Sequence, residues 1–117
     1  MALFCEFYKA QLEGSDYRKG CPLATVALEA APHIEPVQLA CAEAFEGIID
    51  QFRARLRDRG VRPDEADTLA EFTVAAIEGA LLMAKAKKST RAIDVVRDQL
   101  ADRLGRALDE AASTAGE

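Results

Sequence analysis

Apolar residues recur at intervals of three and four along most of the chain, and no useful length alternates with a period of two. Residues at i, i+3, i+4 and i+7 share one face of an α-helix, so this spacing predicts an all-helical protein. Clusters of glycine, proline and serine divide the chain into five segments. The predicted helices span about 2–12, 22–31, 36–60, 63–87 and 90–111.

The fourth predicted helix has an unusually wide apolar surface. Its charged residues Asp67, Glu71, Glu78 and Lys85 fall on one narrow side of the helix. Apolar and small residues spread over roughly half of the circumference, whereas a surface helix needs only about a third. We therefore expect this helix to be buried on two faces, one in its own core and one against a second partner.

The fifth predicted helix carries only a thin apolar seam, close to that of a coiled coil. A short turn at Lys88-Ser89 joins it to the fourth helix, which predicts an antiparallel hairpin. Two copies of this hairpin would form a four-helix bundle between subunits of a homodimer. The alternative is that the fourth helix is the central helix of a monomer. The residues assigned to the subunit interface or to the core beside it are Leu69, Ala76, Ala80, Met83, Ile93, Val96, Leu100 and Leu104.

Length and charge limit the possible functions. The 117 residues correspond to one domain, which we place at 1–112 with a frayed tail at 113–117. A net charge of -5 argues against a surface that neutralises phosphates, so nucleic-acid binding by this chain alone is not expected. Apolar runs are too short to span a membrane and no secretory signal is visible, which predicts a cytoplasmic protein.

The residue types that usually carry catalysis or bind metals are sparse. Three cysteines without a C-x-x-C pair and a single histidine, His33, assemble no local zinc site. Cys21 precedes a predicted helix, where the helix dipole favours a thiolate, but no histidine base accompanies it. We therefore predict no catalytic residue, no metal site and no cofactor. A small thiol-dependent enzyme using Cys21 is the weakest alternative.

Several short motifs, in order along the chain, resemble the C-terminal domain of TetR-family transcriptional repressors of the LmrA/YxaF-like subgroup. The first is Gly20-Cys21-Pro22-Leu23-Ala24, which continues through Val26-Ala27 and Glu29. The others are Ala44-Phe45, Gly60 with Ala66, Leu69-Ala70 and Ile77-Glu78-Gly79-Ala80-Leu81-Leu82. Each motif is loose by itself, and their order over nearly the whole chain is what carries the resemblance.

The resemblance implies a bundle of about five antiparallel helices that dimerises through its last two long helices. It also implies that an internal cavity holds an apolar or aromatic effector, and that operator DNA is bound by an N-terminal helix-turn-helix module missing from this sequence. The chain is then either an isolated domain of a longer regulator or a naturally shortened relative. The residues expected to contribute to the cavity are Phe7, Tyr8, Leu28, Phe45, Ile49, Phe72 and Thr73.

Together these observations predict a non-enzymatic effector-sensing and dimerisation domain of a TetR-like repressor. The alternative is a helical dimerisation or adaptor protein with a filled core and no ligand. Aromatic side chains line binding pockets, but they more often fill a packed core, so the sequence leaves both functions open.

Overall fold

The chain folds into five α-helices, as the spacing of its apolar residues predicts. The structure is a computed structural model that describes residues 2–18 and 20–115. The helices are α1 (Ala2–Gly14), α2 (Pro22–Glu29), α3 (Glu35–Asp58), α4 (Pro63–Lys87) and α5 (Arg91–Ala115). No β-strand occurs within these two described ranges, so the prediction of an all-α fold is confirmed.

Proline and left-handed backbone set most of the helix boundaries. Pro22 and Pro63 occupy the first turns of α2 and α4, where a missing N–H leaves no hydrogen bond unmade. The turn after α3 contains Gly60 with φ +91°, a conformation that favours glycine. Lys88 ends α4 in the left-handed region, and its N–H donates to the carbonyl of Ala84.

The last helix is longer than its sequence indicates. We predict an end near Ala111, whereas α5 continues to Ala115, and Thr114 Oγ1 donates to the Glu110 carbonyl at 3.0 Å. The segment 112–115 contains two alanines and no glycine or proline, so nothing in it stops the helix. Residues 116 and 117 of the predicted tail lie outside the described part of the chain.

Helix α4 is the centre of the fold and packs against α1, α3 and α5. Its N-terminal half clusters with the C-terminal half of α5, since Leu69 packs with Ala107. Its C-terminal half clusters with the start of α5, since Ala80 packs with Ile93. The two helices are therefore antiparallel, as the short turn between them predicts. A third cluster, formed by Ile49, Ala70 and Val74, joins α3 to α4.

Two ion pairs attach α1 to α5 at the edge of the bundle. Lys9 Nζ lies 2.7 Å from Asp94 Oδ1, and Arg97 NH1 lies 2.8 Å from Glu6 Oε1. Exposed pairs of this kind contribute little net stability, because water and salt screen the charges. The attachment of α1 therefore rests mainly on its buried residues Cys5 and Leu12.

The single chain is thin and extended for its size. Its Cα atoms span 50 × 33 × 15 Å with a radius of gyration of 15.8 Å, against about 13.4 Å for a typical domain of this length. Its accessible surface is 7546 Å², against roughly 6,200 Å² for a monomer of this mass. The chain thus exposes more surface than most monomeric domains do.

Candidate ligand-binding site

Two adjoining cavities lie between α4 and the helices α1, α2 and α3. The first has a volume of about 230 Å³, and the residues lining it are Tyr8, Cys21, Ile48, Gln51, Phe52, Arg55, Val74, Ile77 and Glu78. The second has a volume of about 290 Å³, and the residues lining it are Cys21, Ala24, Thr25, Ala27, Leu28, Phe45, Glu78, Gly79, Leu81, Leu82 and Lys85. Cys21 and Glu78 line both, so these two side chains stand where the cavities meet. We call the pair of spaces the central cavity.

The shared wall carries a chain of polar contacts that includes Tyr8. The Tyr8 hydroxyl interacts with the Cys21 side chain, and the Cys21 thiol interacts with the Glu78 carboxylate. Glu78 Oε2 is buried and has no hydrogen-bond partner among the described residues. Carboxylates buried without a full set of donors are uncommon in folded proteins, because desolvation is costly. This oxygen is thus a buried acceptor without a donor, on a side chain in the wall of the central cavity.

Burial sets the acid–base behaviour of this group of three residues. It raises the pKa of the Glu78 carboxyl, and the hydrogen bond from Cys21 only partly opposes that change. Burial also raises the pKa of the Cys21 thiol, while helix N–H donors from Ala24 and Leu23 act in the opposite direction. Burial and the neighbouring Cys21 raise the pKa of Tyr8 to about 12. Cys21 and Tyr8 are therefore neutral near pH 7 and can donate hydrogen bonds.

Glu78 reaches the central cavity because of the way α4 is rotated. The buried face of α4 includes Ile77 and Leu81, and the part of the charged side that carries Glu78 and Lys85 faces the central cavity. Asp67 on that side makes an ion pair with Arg53 of α3, with 2.6 Å between Arg53 Nε and Asp67 Oδ1. Glu71, one turn further on, remains exposed.

Two cations line the central cavity at different places. Arg55 of α3 lines the first space and Lys85 of α4 lines the second. The Lys85 side chain passes close to Gly20, where a Cβ would stand only 3.0 Å from Lys85 Cδ. A Cβ at position 20 would therefore require the flexible Lys85 side chain to shift by a few tenths of an ångström.

Three of the seven residues that we expected to contact a ligand line the central cavity. They are Tyr8 in the first space, and Leu28 and Phe45 in the second. Thr73 lines a third cavity of about 380 Å³ that also contacts Phe52 and Arg55. Its hydroxyl donates to the Leu69 carbonyl at 2.7 Å.

The remaining three lie elsewhere. Ile49 is packed in the core between α3 and α4. Phe7 is 57% exposed and packs edge-on against Tyr8, with 5.4 Å between the ring centroids. Phe72 is 48% exposed on the outer side of α4, where the guanidinium of Arg103 stands 5.5 Å from its ring centroid. For these residues the expectation of ligand contact stays a prediction.

The expected interface residues divide between the core of the single chain and its surface. Leu69, Ala80, Ile93 and Leu100 are buried within the chain, Ala76, Val96 and Leu104 are partly buried, and Met83 is half exposed. The four buried residues are consistent with the second location predicted for this set, the core beside the subunit interface.

An apolar strip runs along the exposed side of α4. Its members follow one another at steps of one, three or four residues and are small or apolar; we call them the outer strip: Phe72, Ala75, Ala76, Gly79, Met83 and Ala86. Gly79 lies at the edge of the strip, because it also lines the second space of the central cavity. Val95 of α5 is also exposed. The wide apolar surface predicted for α4 is therefore present, with one part in the core and one part open.

Sequence reasoning missed most of the residues that line the central cavity, including Cys21 and Glu78, which line both of its spaces. Glu78 fell on the charged side of α4, which is usually solvated, and Cys21 had no base beside it. Both belong to the motifs that carried the family resemblance, Gly20-Cys21-Pro22 and Ile77-Glu78-Gly79. Their position in those motifs was the available signal.

Metal and membrane features were also sought in the described part of the chain. Residues 2–18 and 20–115 contain no group of three or more His, Cys, Asp or Glu side chains placed to hold a metal ion. No helix in these same ranges is long and apolar enough to cross a membrane.

Comparison with known families identifies the class of this domain. Residues 1–99 match the family described as the C-terminal domain of LmrA/YxaF-like transcriptional regulators, in the TetR group. The chain therefore belongs to this family of regulator C-terminal domains. The resemblance inferred from the short motifs is confirmed.

Its relatives are longer proteins. The chain is 33% identical over 108 residues to Rv0196, an uncharacterized HTH-type transcriptional regulator of Mycobacterium tuberculosis; the match covers 88% of this chain and 56% of that protein. It is 24% identical over 98 residues to YxaF, an uncharacterized HTH-type transcriptional regulator of Bacillus subtilis, with 84% and 51% covered. The chain thus spans about half the length of the curated relatives it matches. No solved structure is significantly similar to it.

Proposed function

We propose that this chain is the effector-sensing and dimerisation domain of a TetR-like transcriptional repressor, and that a small apolar or aromatic ligand binds in its central cavity. The relatives named above are described as HTH-type regulators, and the matches cover only 56% and 51% of their lengths. Operator binding is accordingly assigned to an N-terminal module of the longer protein, and none to this chain.

The central cavity is the observation that carries the ligand-binding proposal. Its wall combines apolar side chains such as Phe52, Ile77 and Phe45 with a few polar groups at fixed places. Small-molecule sites have this composition, and two adjoining spaces of about 230 and 290 Å³ together reach the usual size of such a site. An adaptor protein with a filled core would not require a cavity beside the half-buried Glu78 carboxylate.

The central cavity touches the helices that a ligand would have to move. Tyr8 is on α1, Cys21 precedes α2, and Glu78 is on α4. A ligand that fits one arrangement of these helices better than another shifts the population toward that arrangement. Because α1 is the first helix of the domain, a change in its position is the most direct route to a DNA-binding module on its N-terminal side.

The outer strip supports the proposal that the domain is a homodimer. Alanine and glycine at its centre permit close approach of two helix backbones, and Phe72 and Met83 supply apolar area near its ends. The thin shape and excess surface of the single chain agree with a domain that is completed by a second copy. The two α4–α5 hairpins would then form a four-helix bundle.

A thermal-shift screen with apolar and aromatic compounds tests the ligand-binding proposal. A compound that binds only the folded state raises the Tm by mass action. The variant Ile48→Trp, which fills the first space of the central cavity, is expected to abolish the shift. The control is Leu39→Trp, at an exposed position on the same helix, where the shift should persist. If no compound in the screen raises the Tm of the unmodified protein, the filled-core adaptor replaces the sensor.

A further inference from the structure

The unpartnered oxygen of Glu78 restricts which ligand the central cavity can take. Glu78 Oε2 is buried and accepts no hydrogen bond from the described residues, while the Cys21 thiol already contacts the carboxylate. A bound molecule with a hydrogen-bond donor satisfies this oxygen when the Glu78 side chain turns toward either space. An apolar compound with no donor would leave it unsatisfied.

The charged residues around the central cavity favour an uncharged hydrogen-bond donor on the ligand over a charged group. Glu78 is the sole acidic side chain among the described lining residues, whereas Arg55 and Lys85 are both cationic. A ligand ammonium would face these two like charges, and a ligand carboxylate would face Glu78 itself. A hydroxyl or an uncharged N–H group avoids both repulsions.

The position of Glu78 also predicts where on the ligand the hydrogen-bond donor should lie. This side chain lines both spaces of the central cavity, so it stands between them and not at an end. An extended ligand that fills both spaces would pass Glu78 near its middle. Its apolar groups would then lie on either side of the donor.

We propose, building on the ligand-binding function above, that Glu78 is the specificity-determining residue of the central cavity and selects an uncharged, two-lobed apolar ligand with a hydroxyl or N–H donor near its centre. Cys21 and Tyr8 position the carboxylate through their polar interactions with each other and with Glu78. Hydrogen bonds to charged groups discriminate more strongly than neutral ones, so the preference should be measurable.

Four matched probes test this proposal by isothermal titration of the intact chain. Benzhydrol carries a hydroxyl between two phenyl rings, its methyl ether lacks the donor, benzhydrylamine places an ammonium there, and diphenylacetate places a carboxylate nearby. We expect benzhydrol to bind about tenfold more tightly than its methyl ether, and more tightly than either charged probe.

The variant Glu78→Leu isolates the carboxylate, and Glu71→Leu is its control. Glu71 lies seven residues earlier on α4 and is exposed. In Glu78→Leu the benzhydrol preference should fall to about twofold or less, while Glu71→Leu should keep the full preference. Thermal unfolding of both variants checks that each is folded at the temperature of the titration.

The outcomes separate this proposal from the function on which it rests. If the four probes bind equally well, if the ammonium binds most tightly, or if the preference survives in Glu78→Leu, the role of Glu78 is wrong while ligand binding stands. If none of the probes binds the unmodified chain at millimolar concentration, the ligand-binding function and the specificity proposal both fail.

Discussion

At the scale of single residues, Glu78 is the most consequential side chain in the domain. Its carboxylate is half-buried beside Cys21 with one oxygen unpartnered. A buried acceptor without a donor lowers stability, so the proposed role of Glu78 in ligand selection opposes the stability of the ligand-free domain. The ligand-free domain is therefore expected to be less stable than its packing alone would allow.

Replacing Glu78 with glutamine should stabilise the ligand-free domain in a pH-dependent way. Burial raises the pKa of Glu78 in the folded state above its ordinary value of 4.5, so the folded state binds the proton more tightly than the unfolded state. The stability that this proton supplies is present below pH 4.5 and is lost as the pH rises through the folded-state pKa. Relative to the unmodified protein, Glu78→Gln should gain about 1 kcal/mol near pH 7, or roughly 4 °C in Tm, and much less at pH 4.

Thermal melts of both proteins from pH 4 to pH 8 measure this difference. Glu71→Gln, on the exposed part of the same side of α4, should show a nearly constant difference from the unmodified protein over that range. A Glu78→Gln difference that stays constant with pH would mean that the carboxyl is well solvated in the folded state.

The cysteines should react slowly in the folded protein. Cys5, Cys21 and Cys41 are all buried, and burial raises the pKa of the Cys5 and Cys21 thiols. Because the thiolate is the reactive form, we expect labelling by a thiol reagent at pH 7 to be at least about tenfold slower than in urea. A fast-reacting Cys21 in the native protein would instead favour the thiol-dependent enzyme.

At the scale of helices, α5 is a mostly polar helix that packs on the rest of the bundle through one narrow apolar seam. Ile93, Leu100 and Ala107 recur every seven residues; the first two are buried against α1 and α4, and Ala107 is buried against α3 and α4. Because so few side chains carry the attachment, each one matters more than in a helix with a broad apolar face.

Truncating the centre of this seam should destabilise the domain strongly. Leu100 is 1% exposed, so Leu100→Ala is expected to cost about 2–5 kcal/mol of the free energy of unfolding. Val95→Ala, at a 47% exposed position on the same helix, should cost less than about 1 kcal/mol. Urea denaturation of both variants measures the two values. Equal losses of unfolding free energy in the two variants would mean that α5 is rotated about its axis and that Leu100 is not on its buried face.

At the scale of the whole molecule, the outer strip and the thin shape of the chain are the features that support the proposed homodimer. The core buries nine residues of α4, while the outer strip on the other side stays open. Introducing a charged residue into the core should therefore affect folding, whereas introducing one on the outer strip should affect association of two chains. Ala80 is 3% exposed within the single chain, so Ala80→Glu should unfold the chain rather than only separate two copies.

Met83→Glu is the cleaner test of the homodimer. Met83 is 50% exposed in the single chain, so the variant should keep its fold while an unpaired charge in an apolar interface weakens association by several kcal/mol. Native mass spectrometry and light scattering should give a dimer for the unmodified chain and a monomer for Met83→Glu. The control Leu39→Glu, at a 56% exposed position on α3, should remain dimeric. A monomeric unmodified chain at micromolar concentration would remove the outer strip as an interface.

The sequence by itself determined the five helices, their boundaries to within a few residues, and the family, because periodicity, proline and glycine positions and short motifs are local signals. It also indicated that α4 has more apolar surface than one core needs. Only the tertiary structure decided the rotation of α4, which turns Glu78 into the central cavity and leaves Phe72 outside. Rotation depends on how α1, α2 and α3 pack against α4 from distant parts of the chain. A helical wheel gives the relative positions of the residues on one helix but not the direction of its neighbours, so a charged side can face either solvent or a cavity.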